Sequence, residues 1–545
     1  MIEEVNSYKN FAKIWQNHVS YNFLEGIDLT EKQIEIVNQE EEQMLIHGLA
    51  GTGKSITLLY KFVSTLIKEV EPKRVLLVTY NSNLITDIKK RLENCDEFNL
   101  NKIKHKVDIV TFHEAATEIL LGNRIIERGL EYTNADTIKK NRDLAFRRLT
   151  SILHKYREAK NIEYQDLREE ERLSKTHTES FIVEEIFWMK ANGLVTEEQY
   201  LKTHRKGRDQ TIRLTVAQRN TVFKIFKEYE AMPHLDLEDY ALRLIDNIEV
   251  IKPSYKYDYI FADEYQDLDA MQIKALCMLT NKSIVMAGDQ RQRIYNKSPL
   301  SYEEMGFKSI GKKENKNLSK TFRSTLEIIK LANSLKINDA DYREDEAAYN
   351  NHGDKPIIFA GKHAPALKFV VKEIKSILLK NPKASIALIH REDVKDNVSY
   401  ARSEQEKYLS AQLSTVFLRI GEYNNQQAYN DNNILYTDPY NVKGMEFDVV
   451  FILDFCKVYY PNIKKVNKIN EVRSSLDDNM SDIEAIHNLE KKLLYVAMTR
   501  AKDKLYFVAN LNDRANPSVF LDEFDKADYV GKGTYFKTEN AKPLS

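Results

Sequence analysis

The chain predicts an α/β architecture with parallel sheets, built as two cores, the first interrupted by a helical insertion. Three observations predict it. Short β-branched runs alternate with longer helical patterns, as strand–crossover–strand units require. That alternation stops at His113, where long charged helical segments take over as far as about Ile251. Strand patterns resume at Tyr259, and a second alternating series starts at Pro356.

Taken in order, Met44-Leu45-Ile46 reads as the first buried strand, followed by Arg74–Thr79 and Val107–Thr111. The insertion carries helical patterns over Thr137–Glu158 and Thr215–Glu230. Tyr259–Ala262 and Ser283–Ala287 return to the first sheet. The second core reads as strands at Ile357–Phe359, Ser385–Ile389, Thr415–Leu418, Asn433–Tyr436, Val449–Ile452 and Lys504–Val508. The expected boundaries are 1–112 and 252–310 for the first core, 113–251 for the insertion and 311–524 for the second core. The lysine- and asparagine-rich stretch Lys312–Lys320 is expected to be the joint. Residues 525–545 read as a tail with few apolar anchors.

The length of 545 residues accommodates more than one core, and 30% charged against 42% hydrophobic residues is a globular composition. A formal net charge of −1 provides no global field toward nucleic acid, so any such binding must come from a local groove. The three cysteines are scattered and not in metal spacing, which points to a reduced, cytoplasmic setting. No 18-residue apolar run and no leader-like start is present, so no membrane partner is expected.

The first strand leads into Gly48-Leu49-Ala50-Gly51-Thr52-Gly53-Lys54-Ser55, a complete P-loop pattern. Glycines let successive N–H groups turn inward on a phosphate, and the following helix adds its positive end. Lys54 would reach the β- and γ-phosphates of a nucleoside triphosphate and Ser55 would hold Mg²⁺. Gly48, Gly51, Thr52 and Gly53 complete the cradle. A P-loop also needs a distant carboxylate. Asp263-Glu264 follows an apolar strand, at the end where such sheets bind ligands. Asp263 would hold the metal and Glu264 would take the proton of the attacking water.

The run Asp263-Glu264-Tyr265-Gln266-Asp267 resembles motif II of the UvrD/Rep type of superfamily 1 helicases, and the other motifs of that family occur in order from residue 29 to 508. The resemblance implies two RecA-like P-loop domains, ATP and Mg²⁺ as cofactors, and a role for each matching residue. In the Q motif, Gln33 would bond adenine. Thr79-Tyr80-Asn81 resembles motif Ia and Thr111-Phe112-His113 motif Ib, placing Tyr80, Phe112 and His113 near nucleic acid, with Tyr80 and Phe112 as stacking candidates. Asp236–Tyr240 resembles the acidic-aromatic segment that precedes motif II. Gly288–Tyr295 resembles motif III, with Gln292 sensing the γ-phosphate. Thr321–Ser324 resembles motif IV, in which Phe322 would stack on adenine and Arg323 touch the γ-phosphate. Val442–Phe447 resembles motif V, with Gly444 and Glu446 at the nucleotide. Leu494–Ala501 resembles motif VI, with Arg500 as a second γ-phosphate contact.

The sequence departs from the family in four places. Tyr295 is followed by Asn296-Lys297-Ser298-Pro299, so the usual aromatic platform of motif III is missing. Tyr440 stands where motif V usually has histidine in its nucleic-acid-facing turn, and is expected to contact nucleic acid there. Only His390–Asn433 is available for a second accessory domain, which is therefore expected to be absent or vestigial. Tyr265 replaces a smaller or other apolar residue, a change expected to be harmless. The first accessory domain is expected to be retained, and its basic cluster Arg205, Lys206 and Arg208 would meet phosphates.

The resemblance implies an ATPase that translocates on single-stranded nucleic acid, DNA before RNA, in the 3′ to 5′ direction. The other reading is an ATP-gated switch, a partner subunit of a nuclease or effector in a defence, repair or transcription complex. A small-molecule kinase is disfavoured by two cores with paired γ-phosphate arginines.

Overall fold

The computed structural model describes residues 23–24, 27–48, 51–79, 82–130, 135–157, 168, 171–205, 208, 214–292, 298–307, 315–318, 324–337, 351–391, 404–418, 434–442, 445–471, 480–511 and 516–539. It contains two parallel sheets. The first comprises β1 (Gln43–Gly48), β2 (Arg74–Thr79), β3 (Lys106–Thr111), β4 (Tyr257–Asp263), β5 (Thr280–Gly288) and β6 (Asn315–Leu318), in the order β3-β2-β4-β5-β1-β6. The second comprises β7 (Ile357–Gly361), β8 (Ile386–Ile389), β9 (Val416–Leu418), β10 (Ile434–Thr437), β11 (Phe447–Leu453), β12 (Ala501–Asn510) and β13 (Val530–Lys532), in the order β13-β7-β12-β11-β8-β10-β9. These are the two RecA-like cores.

The strands read as near-continuous apolar runs because each sheet is covered on both faces. Alternate residues of β2 divide between two clusters: Leu76 and Val78 pack with Ile119, while Val75 and Leu77 pack with Phe62. In β11, Val450 and Ile452 face one layer and Val449 and Phe451 the other.

The insertion has its own core, in which Leu149, Ile186 and Tyr229 come from the helices Ala135–Arg157, Glu179–Ala191 and Val216–Glu230. Thr178 and Thr215 cap the last two helices through their hydroxyls. The insertion is narrower than 113–251. The helices Phe112–Gly122 and Asp239–Asp246 place Ala116, Ile119, Tyr240 and Leu244 in the first core. A helical period does not reveal which core a helix covers. Two ionic groups tie the insertion to that junction. Lys190 lies fully buried among Glu230, Asp236 and Asp239, and Arg142 pairs with Glu238.

Two further boundaries differ from expectation. β6 falls inside the expected joint and pairs with β1, Leu45 opposite Asn315 through Gly48 opposite Leu318, so the first core passes residue 310. The segment from Asp525 is not a loose tail. It supplies β13 at the edge of the second sheet and a helix, Thr534–Glu539, whose Phe536 enters the core. Between β8 and β10 the described residues hold one helix, Glu404–Gln412, and β9. No helix of the described residues is long and apolar enough to cross a membrane.

Candidate nucleotide site between the two cores

The site is assembled at the C-terminal ends of β1, β4 and β5. After β1, Gly51 and Gly53 take left-handed backbone conformations (φ 77° and 78°), and the helix Lys54–Lys68 begins at once. Both φ values favour glycine. Lys54 is buried and its Nζ donates to the Gly48 carbonyl at 2.9 Å. Gly48 itself has no room for a side chain, since a Cβ there would lie 2.7 Å from the Leu318 carbonyl of β6.

Gln33 is brought to this loop by a capping box. Its Oε1 accepts from the Thr30 N–H at 2.9 Å, while a Cβ on Gly53 would press on its Nε2. One end of the amide is thus anchored at the helix start and the other faces the P-loop.

Asp263 is the last residue of β4, and Glu264 follows in a left-handed conformation (φ 50°, ψ 41°). The Ser55 side chain bonds to Asp263. Burial, and then the neighbouring Glu264 charge, push the Asp263 carboxyl up to about 7. A hydroxyl beside a buried carboxylate is a set of hard oxygen donors of the kind Mg²⁺ takes. A cation there would offset the burial of Asp263 beside the Glu264 charge.

The next turn links the cores. Asp289, after β5, accepts from the Arg291 N–H at 3.0 Å and from Gln292 Nε2 at 2.8 Å. From the second core, Arg500 Nη2 donates to Gln292 Oε1 at 3.0 Å, while Arg500 Nε donates to the Val496 carbonyl at 3.1 Å. Arg291 reaches the other way, donating to Asn333 at 2.7 Å and lying over the Tyr495 ring. Glu446 is exposed and sits 3.6 Å from Lys502. Phe322, Arg323 and Gly444 lie outside the described residues.

The expected nucleic-acid contacts fare differently. Phe112 and His113 open a helix capped by Thr111, and both rings turn inward. Phe112 joins the first core, and His113 Nε2 bonds to the Leu237 carbonyl at 3.2 Å. Neither ring is presented for stacking here. Arg205 and Arg208 both turn onto the buried Glu185, at 2.6 and 3.0 Å, inside the insertion. The pairing follows from the burial of Glu185, a carboxylate that needs opposite charge and hydrogen-bond donors once it leaves solvent. Tyr440 is partly buried beside the Arg391 guanidinium, which pairs with Asp438 and Glu490. Tyr80 and Lys206 lie outside the described residues. Sequence reasoning gave no role to Gln266, Asp289, Arg291 or Arg391; Gln266 meets Asp289 across 23 residues, Arg291 meets Asn333 across 42, and Arg391 meets Asp438 and Glu490 across 47 and 99.

Residues 29–296 match the UvrD/REP helicase N-terminal domain and residues 399–512 the UvrD-like helicase C-terminal domain. The chain is 25% identical over 393 residues to the ATP-dependent DNA helicase PcrA of Staphylococcus epidermidis, covering 68% of this chain and 49% of that protein. It is 26% identical over 395 residues to the ATP-dependent DNA helicase Rep of Buchnera aphidicola, covering 67% of this chain and 56% of that protein. The chain therefore spans about half the length of these curated relatives.

Proposed function

Because the chain belongs to the UvrD/Rep-like superfamily 1 helicases, we propose that it is an ATP- and Mg²⁺-dependent translocase on single-stranded DNA, moving 3′ to 5′ in the cytoplasm. The observation that supports this reading is the bond between Gln292 and Arg500, which joins a residue of the first core to one of the second.

In this reading the P-loop N–H groups and Lys54 bind the β- and γ-phosphates, and Gln33 selects adenine. Ser55 and Asp263 hold Mg²⁺, which neutralises charge on the phosphate oxygens when bound. Glu264 accepts the proton of the attacking water. Arg500, joined by Arg323, brings positive charge to the γ-phosphate from the second core, so hydrolysis is tied to closure of the cores. Repeated closing and opening is the motor stroke.

The test is steady-state ATP hydrolysis with and without a single-stranded oligonucleotide, beside Glu264→Gln and Lys54→Ala. Glu264→Gln should bind ATP and lose turnover, and Lys54→Ala should bind ATP weakly. Undiminished turnover in Glu264→Gln would remove its assigned role.

The inward-facing Phe112, Arg205 and Arg208 favour a second reading, an ATP-gated switch whose partner is a nuclease or effector protein. Hydrolysis indifferent to every nucleic acid would select it.

A further inference from the structure

Gln266 lies in the motif II turn with no part in binding phosphate, metal or water in the reading above. It is 2% exposed, and both ends of its amide are committed. Nε2 donates to the Glu264 carboxylate, and Oε1 accepts from the Asp289 N–H at 3.1 Å. Asp289 in turn holds Gln292 through its carboxylate, and Gln292 accepts from Arg500. Arg500 finally donates to the Met445 carbonyl at 3.4 Å, in the turn before β11. The series Glu264–Gln266–Asp289–Gln292–Arg500 is continuous from the water-activating carboxylate to the second core.

Its form restricts how it can move. An amide that donates at one end and accepts at the other cannot rotate without breaking both bonds. Its neighbours leave no slack, since a Cβ on Gly288 would strike the Gln266 side chain. Any displacement of Gln292 or Arg500 that shifts Asp289 therefore acts on the carboxylate of Glu264 through one side chain.

We infer that Gln266 is the positioning residue that makes the placement of Glu264 depend on how the two cores meet. The inference rests on the ATPase reading. It assigns Gln266 no contact with nucleotide, so its loss should affect turnover and leave nucleotide binding in place.

The experiment is steady-state ATPase of the full chain with and without oligo(dT), for wild type, Gln266→Leu, Gln266→Glu, Gln292→Ala and the double variant Gln266→Leu/Gln292→Ala. Gln266→Leu should lose about tenfold or more in kcat with KM for ATP within about twofold, and stimulation by oligo(dT) should fall toward one. Gln266→Glu retains an acceptor for the Asp289 N–H but opposes Glu264 with a second carboxylate. It should fall as far in kcat. Residues acting in series should give a double variant no worse than the poorer single one. A rise in KM that matches the loss in kcat, losses that multiply in the double variant, or wild-type kcat and stimulation in Gln266→Leu would each overturn the inference. Absence of turnover in wild type would overturn the ATPase reading and this inference with it.

Discussion

Arg500 crosses from the second core to Gln292 of the first, Nη2 donating to Oε1 at 3.0 Å while the rest of its guanidinium is held by the Val496 and Met445 carbonyls. The arginine is 2% exposed, so its direction is set by hydrogen-bonding groups, Thr499 among them, and not by solvent. A planar fork makes several directed bonds at once, which an ammonium group cannot reproduce. Arg500→Ala should therefore lose about a thousandfold in kcat, the scale of a phosphoryl-transfer arginine. Arg500→Lys should recover little of it. A lysine variant with near wild-type turnover would show that charge alone suffices.

Gly288 ends β5 against the motif II turn. An alanine Cβ there would lie 2.7 Å from the Tyr265 ring as well as striking Gln266. Tyr265 cannot withdraw easily, because it is buried and its hydroxyl bonds to that of Tyr302 at 3.0 Å. Overpacking of this kind costs about 1–3 kcal/mol. Gly288→Ala should lower the thermal midpoint and reduce turnover about tenfold. Wild-type values for both would mean that the turn yields more readily than its contacts indicate.

Glu185 is fully buried in the insertion and answers both Arg205 and Arg208, with Tyr200 donating to it at 3.0 Å. The arginines hold its carboxyl below the ordinary range against the effect of burial. Removing Glu185 takes from both arginines the buried counter-charge they share, and breaking a buried pair costs about 3–5 kcal/mol. Glu185→Ala should destabilise the insertion, detected as early proteolysis between residues 135 and 230. Arg205→Ala should leave the salt dependence of single-strand binding unchanged. A slope reduced by about one charge would return Arg205 to the phosphates.

The residues at strand ends were legible in the sequence because an apolar run followed by Gly48, Asp263 or Gly288 marks where a parallel sheet meets its ligand. Phe112 shows the limit. It follows β3 as expected, but it is also the first residue of a helix, and only packing decides whether its ring turns outward. Arg205 and Glu185 are 20 residues apart, and nothing in a basic run discloses a buried acid on an earlier helix. β6 is read as a joint because Asn-Lys-Asn-Leu has no strand pattern, and its pairing with β1 determines its place. Gln266 stands inside a recognised motif, yet its function comes from Asp289, which is 23 residues away.

His113 supplies a prediction about acid stability. Burial is the largest cause holding its imidazole down, to about 4 from an ordinary 6.5, and nearby Arg142 adds to it. The folded protein therefore keeps His113 neutral, with Nε2 at the Leu237 carbonyl, while the unfolded chain protonates it near 6.5. With the folded value depressed, its contribution to stability is complete above pH 6.5 and is lost as pH falls toward 4. At about 1.4 kcal/mol per unit the loss approaches about 3 kcal/mol. His47, behind the P-loop, is lowered to about 4 as well, mainly by burial and also by Lys54, and contributes in the same window. His113→Gln removes one of these two groups and retains a donor. Its thermal midpoint should fall less than wild type between pH 7 and pH 4.5, even where its stability at pH 7 is lower. Parallel curves for the two proteins would mean that His113 is not kept neutral by the fold.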